Sequence, residues 1–278
     1  MTTDQIIDLA LREDIGPGDF TSLATVPENA IAQARLLVKE EGILCGMDLA
    51  QRIFRRIDPD LQFQPLLTDG TSIRPGDVAF LLKGKPLSIL SGERLTLNFM
   101  QRLSGIATQT GKIVSLTKDT GVKLLDTRKT TPLLRELEKY AVRTGGGYNH
   151  RFGLFDMILI KDNHVDYSGG IRQAILASRN YLERNRLDLK IEIEVRNFDE
   201  LSEAMHTGGI HRIMLDNFSP NDLKSAVQMI GKEYETEASG GITLDNIREY
   251  ALTGVQYISV GALTHHIKSL DLSLKAYS

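Results

Sequence analysis

The sequence predicts an α/β protein whose larger part is a βα barrel, and two observations carry that expectation. From Lys123 onward, short β-rich runs alternate with amphipathic helical stretches, and the later units recur about every 22 residues, as βα units do. Polar or glycine-rich groups follow run after run, which puts functional side chains at the C-terminal ends of successive strands. A doubly wound open sheet would gather such groups at a single switch point. Six equipped ends favour the barrel, and because six runs fall short of the usual eight, the barrel expected is partial or distorted.

Composition sets the outer bounds. The 278 residues are 41% hydrophobic and 25% charged, enough for one large domain or two unequal ones, each with a substantial core. A single cysteine, Cys45, excludes an internal disulfide framework, fits a reducing cytosol and reads as a small buried apolar residue. No apolar run approaches the roughly 20 residues that cross a bilayer. Residues 1–14 read as an acidic amphipathic helix without the basic leader or apolar stretch of a signal peptide, so a soluble cytoplasmic protein with no membrane partner is expected. Net charge is −3, yet residues 123–164 carry eight Lys and Arg against five Asp and Glu. A basic pocket inside an acidic chain suits a small anionic ligand rather than nucleic acid.

The first hundred residues mix strand-like runs (32–40, 78–82) with Pro-Gly and Asp-Gly turns. A helix is expected over 48–57, with Leu49, Ile53 and Ile57 on one face, and another over 93–103 ending at Gly105. Beyond them, strands are expected at 123–125, 157–160, 191–195, 213–215, 235–238 and 257–260. Helices are expected at 132–142, 170–183, 198–205, 221–230 and 244–251.

The sharpest segment is Asp126-Thr127-Arg128-Lys129-Thr130-Thr131-Pro132. Thr131 suits an N-cap and Pro132 the first helical position, which places Arg128 and Lys129 in a strand-to-helix loop beside the positive end of a helix. Two cations there call for an anion. Gly145-Gly146-Gly147 suggests a backbone closely approached by another group. His150 and Arg151 follow, and an arginine fork reads carboxylate bidentately. Lys161 stands at the mouth of a buried strand, where Asp162 and His164 either join it functionally or tie the loop down.

Glu192 and Glu194 alternate with Ile191, Ile193 and Val195 and so share one strand face. Paired acids there serve acid/base catalysis, a metal site, or neutralisation of lumenal cations, with a structural salt-bridge network as the plain alternative. With Asp216 at the next strand end, a magnesium site completed by ligand phosphates fits. The turns at Ser239-Gly240-Gly241 and Val260-Gly261-Ala262 leave backbone N–H groups to hold a phosphate. His265 and His266 lack the spacing of a transition-metal site.

Taken together, Glu13 to Gly16 with Gly18-Asp19, NFMQRLSGIAT (98–108), DTRKTTP (126–132), LEKYAVRTGGGYNHR (137–151), KDNH (161–164), LDNF (215–218), residues 239–242 and residues 260–265 resemble the quinolinate phosphoribosyltransferase family. The resemblance implies an N-terminal α/β sandwich domain (1–108) on an incomplete TIM-like βα barrel (109–265), with the tail 266–278 returning to the first domain. It implies a homodimer or hexamer, a phosphoribosyl transfer from phosphoribosyl pyrophosphate to quinolinate with loss of carbon dioxide, and a role in NAD biosynthesis. It further implies that Arg102, from a neighbouring subunit, joins Arg128, His150, Arg151 and Lys161 around the quinolinate carboxylates, with Thr127 also substrate-binding. Lys129, Lys161, Glu194, Asp216, the turns at 239–241 and 260–262, and His265 would take the phosphoribosyl part and its Mg2+. Lys129, Lys161, Glu194 and Asp216 would be the catalytic set. Leu133 stands where the family pattern leads one to expect glycine, and His266 where serine is common. The rivals are a paralogous phosphoribosyltransferase-like enzyme with another substrate and a non-catalytic ligand sensor.

Overall fold

The computed structural model describes residues 1–277. Helices α1 (Thr3–Ile15) and α2 (Phe20–Thr25) open the chain, capped by the side chains of Thr2 and Asp19. Strands β1 (Ala32–Val38) and β2 (Gly42–Ile43), helix α3 (Met47–Ile57), strands β3 (Gln62–Pro65), β4 (Ser72–Ile73) and β5 (Val78–Gly84), and helix α4 (Pro86–Thr117) follow. Then come β6 (Lys123–Leu125), α5 (Arg135–Thr144), β7 (Ile158–Ile160), α6 (Asp162–Ser168) and α7 (Ile171–Asn185). Next are β8 (Ile191–Val195), α8 (Phe198–Thr207), β9 (Arg212–Asp216), α9 (Pro220–Ile230) and β10 (Glu235–Ser239). Helix α10 (Ile247–Ala251), β11 (Tyr257–Ser259), α11 (Ala262–His265) and β12 (Leu272–Tyr277) end the chain.

Two compact units divide it. One comprises residues 1–111, 130–146 and 263–278; the other comprises 112–129 and 147–262. In the first unit an antiparallel sheet has the order β12-β1-β5-β3, so the C-terminal strand pairs along β1 from Gln33 opposite Tyr277 to Val38 opposite Leu272. Alternate residues Ala34, Leu36 and Val38 point into a core with Phe54, Phe80 and Met100.

The helix expected to stop at Gly105 instead runs through 32 residues. Glycine is there for room: a Cβ at Gly105 would lie 2.3 Å from the Lys268 carbonyl oxygen. Gly145, the first of the glycine triplet, is also a close-approach position, where a Cβ would lie 2.4 Å from the Ala107 carbonyl oxygen. The helix expected from Pro132 begins at Arg135. Leu133 sits at φ 68°, and a turn from the Leu134 amide to the Thr131 carbonyl (3.1 Å) interrupts the chain before the helix can propagate. Arg128 and Lys129 therefore do not stand at a helix N-terminus.

The second unit carries six parallel strands in the order β6-β11-β10-β9-β8-β7. Beside β6, Tyr148 adds to the sheet, exchanging bonds with Leu124 and Asp126. No ladder joins β6 to β7 among the described residues, so the α/β fold is the incomplete barrel expected. The register sets Glu192 beside Arg212, Glu237 beside Met214, and Ser239 beside Asp216.

Candidate active site

A cavity of about 330 Å³ opens in the second unit, lined by Thr127, Arg128, Lys129, His150, Arg151, Leu159, Lys161, Met214, Ser239 and Ser259. Its basic wall is built from two loops stapled by one acid. Asp126, fully buried at the end of β6, accepts the His150 amide at 2.9 Å and the Asn149 side-chain amide at 2.6 Å. That bond brings His150 and Arg151 beside Arg128 and Lys129. The Lys129 amide closes its own loop on the Thr127 hydroxyl at 3.0 Å. Arg128 has no ion-pair partner among the described residues. Burial, and then the nearby charge of Arg128, lowers the Arg151 pKa, so the two guanidinium groups repel. Arg151 Nη1 donates to the Met157 carbonyl at 3.2 Å.

Lys161 follows β7, and its amide donates to His164 Nδ1 at 2.9 Å. His164 thus ties down the loop. The Lys161 ammonium lies 3.1 Å from Glu194 Oε2 at the end of β8. Asp216, at the end of β9, has its pKa raised by burial and then by the charge of Glu194, while Asn217 Nδ2 donates to it at 2.6 Å. Glu194 and Asp216 offer carboxylate oxygens, the donor type that magnesium takes.

Gly240 and Gly241 follow β10 at φ 87° and 63°. A Cβ on Gly240 would lie 2.2 Å from Asn217 Oδ1, so only glycine lets these two turns meet. The Val260 amide bonds the Leu125 carbonyl at 2.9 Å; Gly261 then leads to Ala262, the first residue of α11. Arg102 and His265 lie in the first unit and are not among the residues lining this cavity. Arg102 is bonded through Nε and Nη2 to Glu138 and Thr131.

The second face residue of β8, Glu192, belongs to a buried charge network that sequence reasoning only half found. His150 Nε2 stands 3.2 Å from Glu192 Oε2 and 3.5 Å from Glu237 Oε2, and both carboxylates are fully buried. Arg212 Nη1 reaches Glu237 at 2.9 Å, Nη2 reaches Glu235 at 2.9 Å, and the guanidinium stacks 4.0 Å from the Tyr257 ring centroid. Burial opposes charge on His150, but the two carboxylates outweigh it and lift its pKa to about 9. A proton added at Nδ1, however, must displace the Arg151 amide, which donates there at 2.7 Å. Burial, with the charge of Glu237, raises the Glu192 pKa. His150, Glu192 and Glu237 converge as metal ligands do, but Arg212 already supplies the cation. Glu235 and Glu237 alternate along β10 as Glu192 and Glu194 do along β8, and that alternation was the available signal.

Comparison with known proteins agrees with this geometry. The chain matches the quinolinate phosphoribosyl transferase N-terminal domain over residues 19–104 and the corresponding C-terminal domain over residues 106–275. It is 44% identical to quinolinate phosphoribosyltransferase [decarboxylating] 1b of Nicotiana tabacum, over 97% of this chain and 81% of that one. It is also 44% identical to the probable nicotinate-nucleotide pyrophosphorylase [carboxylating] of Bacillus subtilis, over 94% of this chain and 89% of that one. The solved nicotinate-nucleotide pyrophosphorylase of Francisella tularensis superposes with a TM-score of 0.93 at 42% identity, covering 100% of this chain and 98% of that one. With both domains matched end to end and the barrel's basic cavity in place, the chain belongs to the quinolinate phosphoribosyltransferase family.

Proposed function

We infer that the chain transfers a phosphoribosyl group from phosphoribosyl pyrophosphate to quinolinate, yielding nicotinate mononucleotide, pyrophosphate and carbon dioxide, within NAD biosynthesis. The observation that carries this reading is the convergence of Arg128, Lys129, Arg151 and Lys161 on one cavity, with Glu194, and through its charge Asp216, linked to that wall by the Lys161 ion pair rather than lining the cavity.

The chemistry needs no serine, cysteine or general base. The ring nitrogen of quinolinate attacks C1′ of the ribose, and pyrophosphate leaves with the electron pair of the broken C–O bond. A dianion and a pyrophosphate ester repel each other, and the cationic wall offsets that repulsion. Arg128 and Arg151 hold the carboxylates, with Thr127 and His150 in the same wall, and Arg102 is assigned to the site of a neighbouring subunit. Positive charge developing at C1′ is stabilised by Glu194 and Asp216. Lys129 and Lys161 absorb charge on the departing pyrophosphate, and Ser239 to Gly241 and Val260 to Ala262 handle the phosphates. Glu194 and Asp216 are the residues that would hold magnesium, which supplies Lewis-acid charge neutralisation. Once the ring nitrogen is quaternised, the electrons of the C2–carboxylate bond pass into the ring, carbon dioxide departs, and the ring carbon takes a proton from water.

A self-assembled homodimer or hexamer in the cytoplasm belongs to the same proposal. The self-assembly is supported by the exposed apolar side chains Leu154 and Phe155, 71% and 72% accessible. The test is purified protein with magnesium, phosphoribosyl pyrophosphate and carboxyl-labelled quinolinate, with nicotinate as control. Label release as carbon dioxide that requires both substrates, with nicotinate inert, supports the reading. No release moves the assignment to a paralogue with another substrate or to a ligand sensor.

A further inference from the structure

Both ring nitrogens of His150 are directed into the protein. Nε2 stands between Glu192 and Glu237, 3.2 and 3.5 Å from their nearer oxygens, in line with neither. Nδ1 accepts the amide of Arg151 at 2.7 Å. The side chain is only 6% exposed, so its face on the cavity is carbon-rich edge more than nitrogen. Arg151 is in turn held at two points, its amide by His150 and its Nη1 by the Met157 carbonyl at 3.2 Å.

Burying Glu192, Glu237 and Arg212 together is costly, and apolar residues of similar volume would hold the fold as well or better. What this network reaches at one end is the His150 imidazole.

We propose that His150 is a positioning residue for Arg151: the charges of Glu192 and Glu237 hold its Nε2 edge without an aligned hydrogen bond, and its Nδ1 fixes the Arg151 backbone so that the guanidinium meets a substrate carboxylate. The proposal rests on quinolinate being the substrate, and it moves His150 from touching quinolinate to acting through Arg151. Two neighbouring groups bear on the same ring, Asp126 through the His150 amide and Arg212 through Glu237.

Two substitutions separate the two ring nitrogens. His150→Asn keeps an acceptor near the Nδ1 position and loses the anchor, whereas His150→Gln keeps a donor near Nε2 and loses the acceptor. Each is made alone and with Arg151→Ala, and kcat and KM are measured separately for quinolinate and phosphoribosyl pyrophosphate. We expect His150→Gln to raise the quinolinate KM roughly tenfold, the size of one hydrogen bond to a charged partner, with the phosphoribosyl pyrophosphate KM unmoved. His150→Asn should raise it less. In the Arg151→Ala background the His150→Gln effect should shrink to about twofold or less, as coupled residues show. Equal fold-losses in both backgrounds would mean that His150 contacts quinolinate itself and would overturn the proposal.

If His150→Gln does not fold by thermal melt, Glu237→Gln carries the same test. It should raise the quinolinate KM alone, and that rise should vanish with Arg151→Ala. A wild-type protein that does not consume quinolinate refutes the substrate reading. The positioning claim then fails only if the imidazole ¹⁵N shifts show Nδ1 without a hydrogen bond from the Arg151 amide.

Discussion

Arg102 on α4 turns its guanidinium onto Glu138 of α5: Nε and Nη2 both reach Oε1, at 2.8 and 2.7 Å, and Nη2 continues to the Thr131 hydroxyl at 2.7 Å. Glu138 is fully buried, and its other oxygen accepts the Thr131 amide at 3.2 Å. One carboxylate therefore ties the long helix to the turn that precedes α5.

Removing that carboxylate leaves the arginine, 29% exposed, without its counter-charge. Glu138→Ala should cost about 2–4 kcal/mol, somewhat below the value for a wholly buried pair because Arg102 retains some water. Urea denaturation measures it, and a loss under about 1 kcal/mol would mean that the pair is mostly solvated.

Gly105 gives a prediction whose sign is informative. Glycine to alanine inside a helix ordinarily stabilises by up to about 1 kcal/mol. Here the new Cβ would meet the Lys268 carbonyl oxygen at 2.3 Å, a backbone atom that cannot swing aside. Gly105→Ala should lower the melting temperature, and a rise would show that the 263–278 segment yields easily.

These two residues also mark where local grammar stopped being enough. Gly105 looks like a helix end from its neighbours, because the partner that needs the space, Lys268, is far away in the chain. Thr131-Pro132 satisfies every rule for a helix start, yet Leu133 adopts a left-handed turn and the helix waits until Arg135. By contrast, β8 was legible to the residue, because its uniform alternation of Ile and Glu has only one strand reading. Arg128, Lys129, Arg151 and Lys161 were legible because cations crowded at strand ends repel one another, so that the sequence itself called for an anion between them. Glu237 and Arg212 were not. Charged residues are seldom fully buried, so a strand reading Glu-Thr-Glu looks solvent-facing until its neighbours are known.

Leu133 should accept glycine gladly. At φ 68° and 65% exposed it bears left-handed strain and little packing. Relieving that strain is worth roughly 1–2 kcal/mol, and the added backbone entropy of glycine returns about 0.5–1 kcal/mol of it. Leu133→Gly should therefore raise stability by about 0.5–1 kcal/mol in chemical denaturation with turnover retained. A net loss would mean that the leucine side chain is packed in the working assembly.

Asp216 offers a separation of stability from catalysis. Burial and the charge of Glu194 raise its pKa in the folded state, so the native protein binds this proton more tightly than the unfolded chain does. Its favourable contribution is fully present below the ordinary carboxylate pKa and is lost as pH rises through the raised value. Asp216→Asn keeps the shape and removes the titration, so the variant should hold its stability over that interval while the wild type declines. The same substitution takes away one of the two oxygen donors proposed for magnesium and one of the two acids proposed to face C1′. Its kcat/KM for phosphoribosyl pyrophosphate should fall about a hundredfold or more, and more magnesium should be needed for what remains. Quinolinate affinity, assigned above to the basic wall, should stay within about twofold in equilibrium titration. If stability responds as stated but kcat/KM does not, Asp216 is a buried acid of the scaffold and the magnesium assignment passes to Glu194 alone. If neither responds, the repulsion between Glu194 and Asp216 is already neutralised by Lys161, which sits 3.1 Å from Glu194 and would then be bound too firmly to serve the pyrophosphate.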